Sequence, residues 1–253
     1  MAPISETGHI KNAENFSKLL TEATGFGTTY NPSAADIKVP ALTTKDTAVQ
    51  ASIINVNTKE GIWKAKINTR QTNYQLMATL ASRAVGIVAS EDLNAKILKD
   101  LRAVIKKIGG KRKKLPDEPQ PAAAPPPAKK TVSAAQTSFD KRKDHFSKLI
   151  SLLQTISGYT PNEADLTITS LTAYLNSLKT ANTDVNNAAK DLFQARKDRN
   201  IELYKETIGA VDIALRVKEY VKGMMPAGPS SAEYKRVNAI KFKDLLLNEK
   251  ESL

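Results

Sequence analysis

Residues 30–37 read YNPSAADI and residues 159–166 read YTPNEADL. Tyr30, Pro32, Ala35 and Asp36 stand 129 positions before Tyr159, Pro161, Ala164 and Asp165. The same offset holds further out, where Leu42-Thr43 recurs as Leu171-Thr172, Val56-Asn57 as Val185-Asn186 and Arg70 as Arg199. Upstream, Phe16-Ser17-Lys18-Leu19-Leu20 recurs as Phe146-Ser147-Lys148-Leu149-Ile150, at an offset of 130. Ordered matches over so long a stretch mark an internal repeat. A repeat implies two similar structural units and favours a scaffold over one asymmetric active site.

Helical periodicity follows each copy of the motif. Leu171, Leu175, Leu178, Asn182, Val185, Ala189, Leu192, Arg196, Arg199 and Leu203 are separated by alternating steps of four and three, the spacing of a heptad seam. The equivalent positions in the first repeat are Leu42, Asp46, Val49, Ile53, Val56, Glu60, Trp63, Ile67, Arg70 and Tyr74. Pro40 suits the first turn of a helix, where its missing N–H costs nothing. A long helix is therefore expected over 40–74, with a counterpart starting at 168–169. Further helices are expected at 12–23 and 139–156, at 75–89 and 207–224, and at 91–108 and 231–247. Ser90-Glu91-Asp92 and Ser230-Ser231-Ala232-Glu233 supply N-terminal signals for the last pair. No alternating apolar run bounded by turns argues for a sheet. The expected fold is all-α: two similar antiparallel helical-bundle repeats, each with one long heptad-patterned helix.

The repeats are joined by LPDEPQPAAAPPPA at 115–128. Proline fixes φ and cannot donate a backbone hydrogen bond, so this stretch reads as a semi-rigid, polyproline-like spacer. The expected organisation is repeat one over 1–109, a basic Pro/Ala-rich linker over 110–137 and repeat two over 138–253. Of the net charge of +12, residues 1–109 carry +5, residues 110–145 another +5 and residues 146–253 only +2. Charge is thus concentrated around the linker.

The residue inventory excludes several chemistries. There is no Cys, so disulfides, thiolate metal sites and Cys nucleophiles are ruled out. A ferritin-like centre needs paired Glu-x-x-His motifs, and the chain has only His9 and His145. Gly25-Phe26-Gly27 lacks the Lys-Ser/Thr ending of a phosphate loop. We assign no catalytic, cofactor-binding or metal-binding residue and no small-molecule substrate, and expect no enzyme activity. The N-terminal residues lack a charged start followed by an apolar run, and no window holds 18 uninterrupted apolar residues. The expected location is cytoplasmic, without a transmembrane segment.

Polar residues on the seam raise a sharper expectation. Arg70 and Arg199 share one stripe position, where an arginine either packs its stem and snorkels or forms a buried ion pair that sets register. Antiparallel packing of the long helices about a pseudo-twofold axis would pair Asp36 with Arg199 and Asp165 with Arg70. Asn182, also on the seam, is of the type that specifies alignment at a cost in stability. Trp63 and its counterpart Leu192 read as core, and Tyr30 and Tyr159 are expected to pack over the start of each long helix.

Tyr159-x-Pro-x2-Ala-Asp-Leu166, Ala195-Arg196-x2-Arg199-Asn200-x3-Tyr204, Val217-Lys218-x-Tyr220-Val221-Lys222 and Tyr234-x2-Val237-x2-Ile240-Lys241-Phe242 together resemble an uncharacterised family of duplicated all-helical bacterial proteins that often carry a basic connector. The resemblance implies an all-α fold and brings no activity, substrate or cofactor with it. Two function classes follow. The first is a non-enzymatic structural or protein–protein interaction scaffold, binding a protein partner or a second copy of itself through exposed helical faces. The alternative is nucleic-acid association through the linker, with Lys111, Arg112, Lys113, Lys114, Lys129, Lys130, Lys141, Arg142 and Lys143 as candidate phosphate-backbone contacts.

Overall fold

The computed structural model describes residues 6–91, 95–109 and 138–246. Among these residues the regular structure is entirely helical. In chain order the helices are α1 (Glu6–Gly25), α2 (Val39–Gln75), α3 (Met77–Ser90), α4 (Ala95–Ile108), α5 (Phe139–Gln154), α6 (Ile168–Tyr204), α7 (Ala210–Met224) and α8 (Ala232–Ala239). Short 3-10 turns at Ala35–Ile37 and Ala164–Leu166 lead into α2 and α6. No helix among the described residues is long and apolar enough to cross a membrane.

The helix starts have local causes. Pro40 occupies the first turn of α2. The Thr167 hydroxyl accepts from the Ser170 amide at the start of α6 (3.2 Å). Ser138 and Ser231 cap α5 and α8 in the same way, accepting from the Lys141 and Tyr234 amides. The Tyr motifs close the preceding loops: the buried Tyr30 hydroxyl donates to the Ile37 carbonyl at 2.7 Å, and Tyr159 donates to Leu166 at 2.8 Å. Each ring thereby packs over the entry to a long helix.

The long helices are 37 residues each, about 55 Å. Their seam is buried largely as the heptad reading expects: Leu42, Val49, Ile53, Val56 and Tyr74 in α2, and Leu171, Leu175, Leu178, Asn182, Val185, Leu192, Arg199 and Leu203 in α6. One column differs. Ala181, Ala188 and Ala195 are buried, whereas Ala189 is exposed and Arg196 only half-buried. Alanine is compatible with either face by composition, and packing selects the column whose small side chains admit the neighbouring helix.

The chain forms two compact units. The first takes residues 1–63 and 188–253. Here α1 packs on α7, and α7 packs on α8 and on the turn Ala35–Ile37, around Phe16, Leu19, Leu42, Leu203, Val217 and Val221. The second takes residues 64–187. Here α4 packs on α3 and α5, and α3 on the turn Ala164–Leu166, around Met77, Val88, Leu101, Phe146, Leu149 and Leu171. Within each unit the segments of α2 and α6 run antiparallel. Lys45–Glu202 (2.8 Å) and Lys59–Asp191 (3.2 Å) set the register in the first unit. Lys66–Asp184 (2.8 Å) and a Tyr174 hydroxyl bond to the Asn73 carbonyl set it in the second.

Sequence similarity divides the chain at 110–137, but packing divides it at 63/64 and 187/188. Each unit contains the first helix and motif turn of one repeat and the helix that follows the long helix of the other. The physical reason is length. A seam of about 55 Å is too long for one cover, so each stretch acquires its own. The linker, residues 110–137, lies outside the described residues.

Two local departures from expectation also have causes. α8 stops at Ala239, well short of the expected 247. Beyond it, backbone carbonyls are taken by side chains of other helices. Lys218 donates to Ile240, Asn15 to Lys241 (2.7 Å) and Asn12 to Lys243 (2.6 Å). These bonds hold the segment after Ala239 in its non-helical path against α1 and α7. The α6–α7 connection is tight: Thr207 has φ 72°, and Gly209 donates to the Lys205 carbonyl at 2.6 Å.

A Cβ at Gly209 would lie 2.7 Å from the backbone N and O of Lys205 and 2.9 Å from the Leu203 carbonyl. Gly209→Ala should therefore cost on the order of 2 kcal/mol or more, because backbone cannot step aside. Gly61, inside α2, would meet nothing within 4 Å, and Gly61→Ala should stabilise by about 0.5–1 kcal/mol. Thermal unfolding of the two variants should move in opposite directions.

Candidate functional site

The polar chemistry of the fold converges on the last turns of the long helices. In the first unit, α1 meets the end of α6. The His9 ring packs on Tyr204 with centroids 5.5 Å apart, and its Nδ1 lies 2.8 Å from the Tyr204 hydroxyl. Asn12 donates to the same hydroxyl at 3.1 Å. One turn earlier on α6, Arg199 is bonded to the Glu6 carboxylate and to the Asn200 side chain. Arg196 reaches Glu6 at 3.2 Å. His9, Asn12 and Arg199 are all buried.

In the second unit, α5 meets the end of α2 in the same frame. Phe139 stands 130 residues after His9, and its ring packs edge-on against Tyr74 at 4.8 Å. The Arg70 guanidinium sits over the Phe139 ring at 4.1 Å, and that of Arg142 lies 5.6 Å from the Tyr74 ring centroid. Arg142 also donates to the Tyr74 carbonyl at 3.3 Å. From α6, Asn182 donates to the Tyr74 hydroxyl (3.0 Å) and to Asp140 (3.1 Å). Both clasps place a ring from a helix N-terminal turn on a Tyr at a long-helix end, with an Arg one turn away. One fills the frame with His and a carboxylate, the other with stacked guanidinium and aromatic groups.

Burial drives the titration of these groups. Desolvation lowers the His9 pKa from 6.5 to about 4, assisted by the Arg199 charge and opposed by Glu6. Desolvation raises Tyr204 to about 12 and also raises Tyr74. His9 is therefore neutral at pH 7, and Tyr204 keeps its proton.

The expected ion pairs are rearranged. The Asp36 carboxylate binds Arg216 of α7, which also donates to the Thr207 carbonyl at 3.1 Å. Asp165 binds Arg83 of α3 through both carboxylate oxygens. Both pairs join one repeat's motif turn to the other repeat, as the expected reciprocity required, but the arginines are different ones. Arg199 pairs with Glu6, and Arg70 stacks on Phe139. The reason is steric: α3 and α7 fold back over the motif turns and reach the aspartates, while α1 and α5 cover Arg199 and Arg70. Trp63 and Leu192 share a small apolar cluster with Val56 and Ala195, the packing role expected of them.

The candidate phosphate contacts separate into three cases. Lys111, Arg112, Lys113, Lys114, Lys129 and Lys130 lie outside the described residues. Arg142 is committed to the Tyr74 clasp, and Lys143 lies 3.5 Å from both Asp140 and Asp144. Lys141 stays exposed.

Sequence reasoning missed the α1 side of the first clasp. Its signal is a polar column at three-residue spacing, Glu6, His9, Asn12 and Asn15, beside the apolar Ala13, Phe16 and Leu19. Glu6-x-x-His9 is one instance of the spacing used in di-iron bundles, but its two members go to Arg199 and Tyr204. Among the described residues no three His, Asp or Glu side chains converge to hold a metal ion. A cleft of about 610 Å³ between α3 and α4 is lined by Ala78, Thr79, Ser82, Arg83, Ile105, Lys106 and Gly109, and its Arg83 is already bound to Asp165.

No family model matches the chain, no curated protein does, and no solved structure does. The likeness to duplicated helical proteins thus rests on the residues quoted for it.

Two tests follow from the clasps. The folded-state pKa of His9 is below its unfolded value, so the unfolded chain binds the extra proton between these values. Stability from this site is complete above about pH 6.5 and is lost as pH falls toward 4. His9→Phe, which installs the ring found at Phe139, should flatten that part of the stability–pH profile in urea titrations. Arg199→Ala should cost about 2 kcal/mol or more, since it empties a buried position and removes the guanidinium bonds to Glu6 and Asn200. Arg83→Ala, whose pair is half-exposed, should cost less than about 1 kcal/mol.

Proposed function

We propose that the protein is a non-enzymatic, duplicated helical scaffold that associates with a second copy of itself through the outer faces of its long helices. The buried polar groups His9, Asn12, Asn182 and Arg199 are engaged in the clasps. One observation carries the reading. In the first unit Phe193 and Ile54 are 70% and 64% exposed. The register set by Lys45–Glu202 and Lys59–Asp191 brings them level with each other. Each follows a buried seam residue, Leu192 or Ile53, by one position. In an antiparallel pair that step, about 100°, turns both side chains to the same flank. Large apolar residues held side by side on a rigid helix pair are costly to leave in water and suit a self-complementary contact.

Nucleic-acid association through the linker is the second reading. Its folded contribution from the predicted residues is reduced to Lys141, since Arg142 and Lys143 are engaged within the fold.

Sedimentation velocity over roughly two decades of concentration should show mass rising with concentration. Phe193→Ser with Ile54→Ser should abolish the rise while leaving the helical circular dichroism unchanged. A wild-type protein that stays monomeric throughout, and whose partners in a native-lysate pull-down all vanish on nuclease treatment, would refute self-assembly.

A further inference from the structure

We infer that the α4–α5 layer of the second unit is a docking surface for the phosphate backbone of a nucleic-acid duplex. The inference is independent of self-association and does not use the linker residues.

It starts from where the acids go. Across the described fold, carboxylates are matched to cations at Lys45–Glu202, Lys59–Asp191, Lys66–Asp184, Arg83–Asp165, Arg199–Glu6, Arg216–Asp36 and Arg236–Glu22. The α4–α5 layer is different. α4 carries five basic residues and one acidic residue, Asp100. Lys99, Arg102, Lys106 and Lys107 are exposed, as are Lys141 and Lys148 on α5. None of these six makes an ion pair among the described residues. On α5, Asp140 and Asp144 are both within reach of Lys143, so they leave the six uncompensated.

The cations are also grouped. Lys99, Arg102 and Lys106 follow at steps of three and four along one face of α4. Lys107, one position on, lies within electrostatic reach of His145 on α5. Lys107, Lys141 and Lys148 all act on His145, whose pKa is lowered first by desolvation and then by Lys107, against the opposing charge of Asp144. Three lysines converging on one half-buried imidazole mark a local positive field.

The chemistry of the surface selects the occupant. α4 contains no aromatic residue, the Phe146 ring of α5 is buried, and the Phe139 ring is taken up by Arg70 and Tyr74. Without stacking platforms the layer is unsuited to single strands read through their bases. Its largest exposed apolar side chain on α4 is Ile97, at 36%, so there is no apolar face to insert into a bilayer. What remains is a rigid row of cations on a helix of about 20 Å, which matches a regular, closely spaced line of phosphates. Such contact fixes position without reading sequence.

The test is fluorescence anisotropy with a random-sequence DNA duplex of about 24 base pairs, titrated between about 50 and 200 mM salt. The full-length protein is compared with two variants. One carries Lys99→Gln, Arg102→Gln, Lys106→Gln, Lys107→Gln and Lys148→Gln. The other carries glutamines at Lys111, Arg112, Lys113, Lys114, Lys129 and Lys130. The wild-type protein should bind with a log–log salt slope steeper than about −3. The face variant, with unchanged circular dichroism, should lose at least about tenfold in affinity and flatten the slope by about 3 or more. The linker variant should keep most of the face's contribution. Wild-type protein that does not bind the duplex at the lowest salt overturns the inference. So does a folded face variant with wild-type affinity and slope, or binding to anionic vesicles of phosphatidylserine and phosphatidylcholine without binding to duplex. If the face variant misfolds, Lys107→Gln with Lys148→Gln alone decides, with an expected slope change of about 2.

Discussion

A helix of 37 residues presents more seam than one short helix can cover, and the rest of the structure answers that constraint. Each long helix starts under one set of elements and ends under another. Its start is held by a Tyr-closed 3-10 turn, which is capped from outside by an arginine of α3 or α7. Its end is held by the first turns of α1 or α5. The cover at each end comes in part from the other half of the chain, so each core is completed by residues of both repeats. Interleaving of this kind makes the repeat a unit of sequence and the compact unit a unit of packing.

The two clasps show how one geometric frame tolerates different chemistry. The Tyr204 clasp buries His9, Asn12 and Arg199, and satisfies them through Glu6, Asn200 and the Tyr hydroxyl. The Tyr74 clasp replaces the imidazole with Phe139 and lets two guanidinium groups lie against aromatic faces. Its hydrogen bonding is less complete: the Nε atoms of Arg70 and Arg142 and the Oδ1 of Asn182 are buried without a protein partner. Cation–aromatic contact compensates in part, because ring faces are attractive to a desolvated guanidinium. The histidine version is the one whose stability depends on mildly acidic pH.

Charge is distributed with the same economy. The carboxylates sit mainly where elements from different halves meet, on motif turns, long-helix flanks and α1. Acidic residues used for internal pairing are not available to offset surface lysines elsewhere, and α4 with α5 is where the imbalance falls. The net charge of +12 is therefore a patterned surface as well as a bulk property.

Much of the fold was legible in the chain. The seam spacing, Pro40 and the Tyr motifs located the long helices to within a residue or two, and Ser231 located the start of α8, because caps and periodicity are local physics. The reciprocal roles of Asp36 and Asp165 were legible too, since both recur in register. Their partners were not. Arg83 and Arg216 stand 133 residues apart, off the 129 offset that comparison of the repeats relies on. The shortened α8 escaped notice because Asn12, Asn15 and Lys218, which capture its following carbonyls, belong to distant segments. The Ala181, Ala188 and Ala195 column was hidden because alanine has no strong preference for either face. The sequence by itself determined that the chain is helical, where the long helices begin and most of the stripe they bury, all set by interactions within a few turns. Which helix covers which stripe, and hence which acid meets which base, was decided only in the tertiary structure, because the two repeats offer nearly equivalent covers and only packing of the whole chain chooses between them.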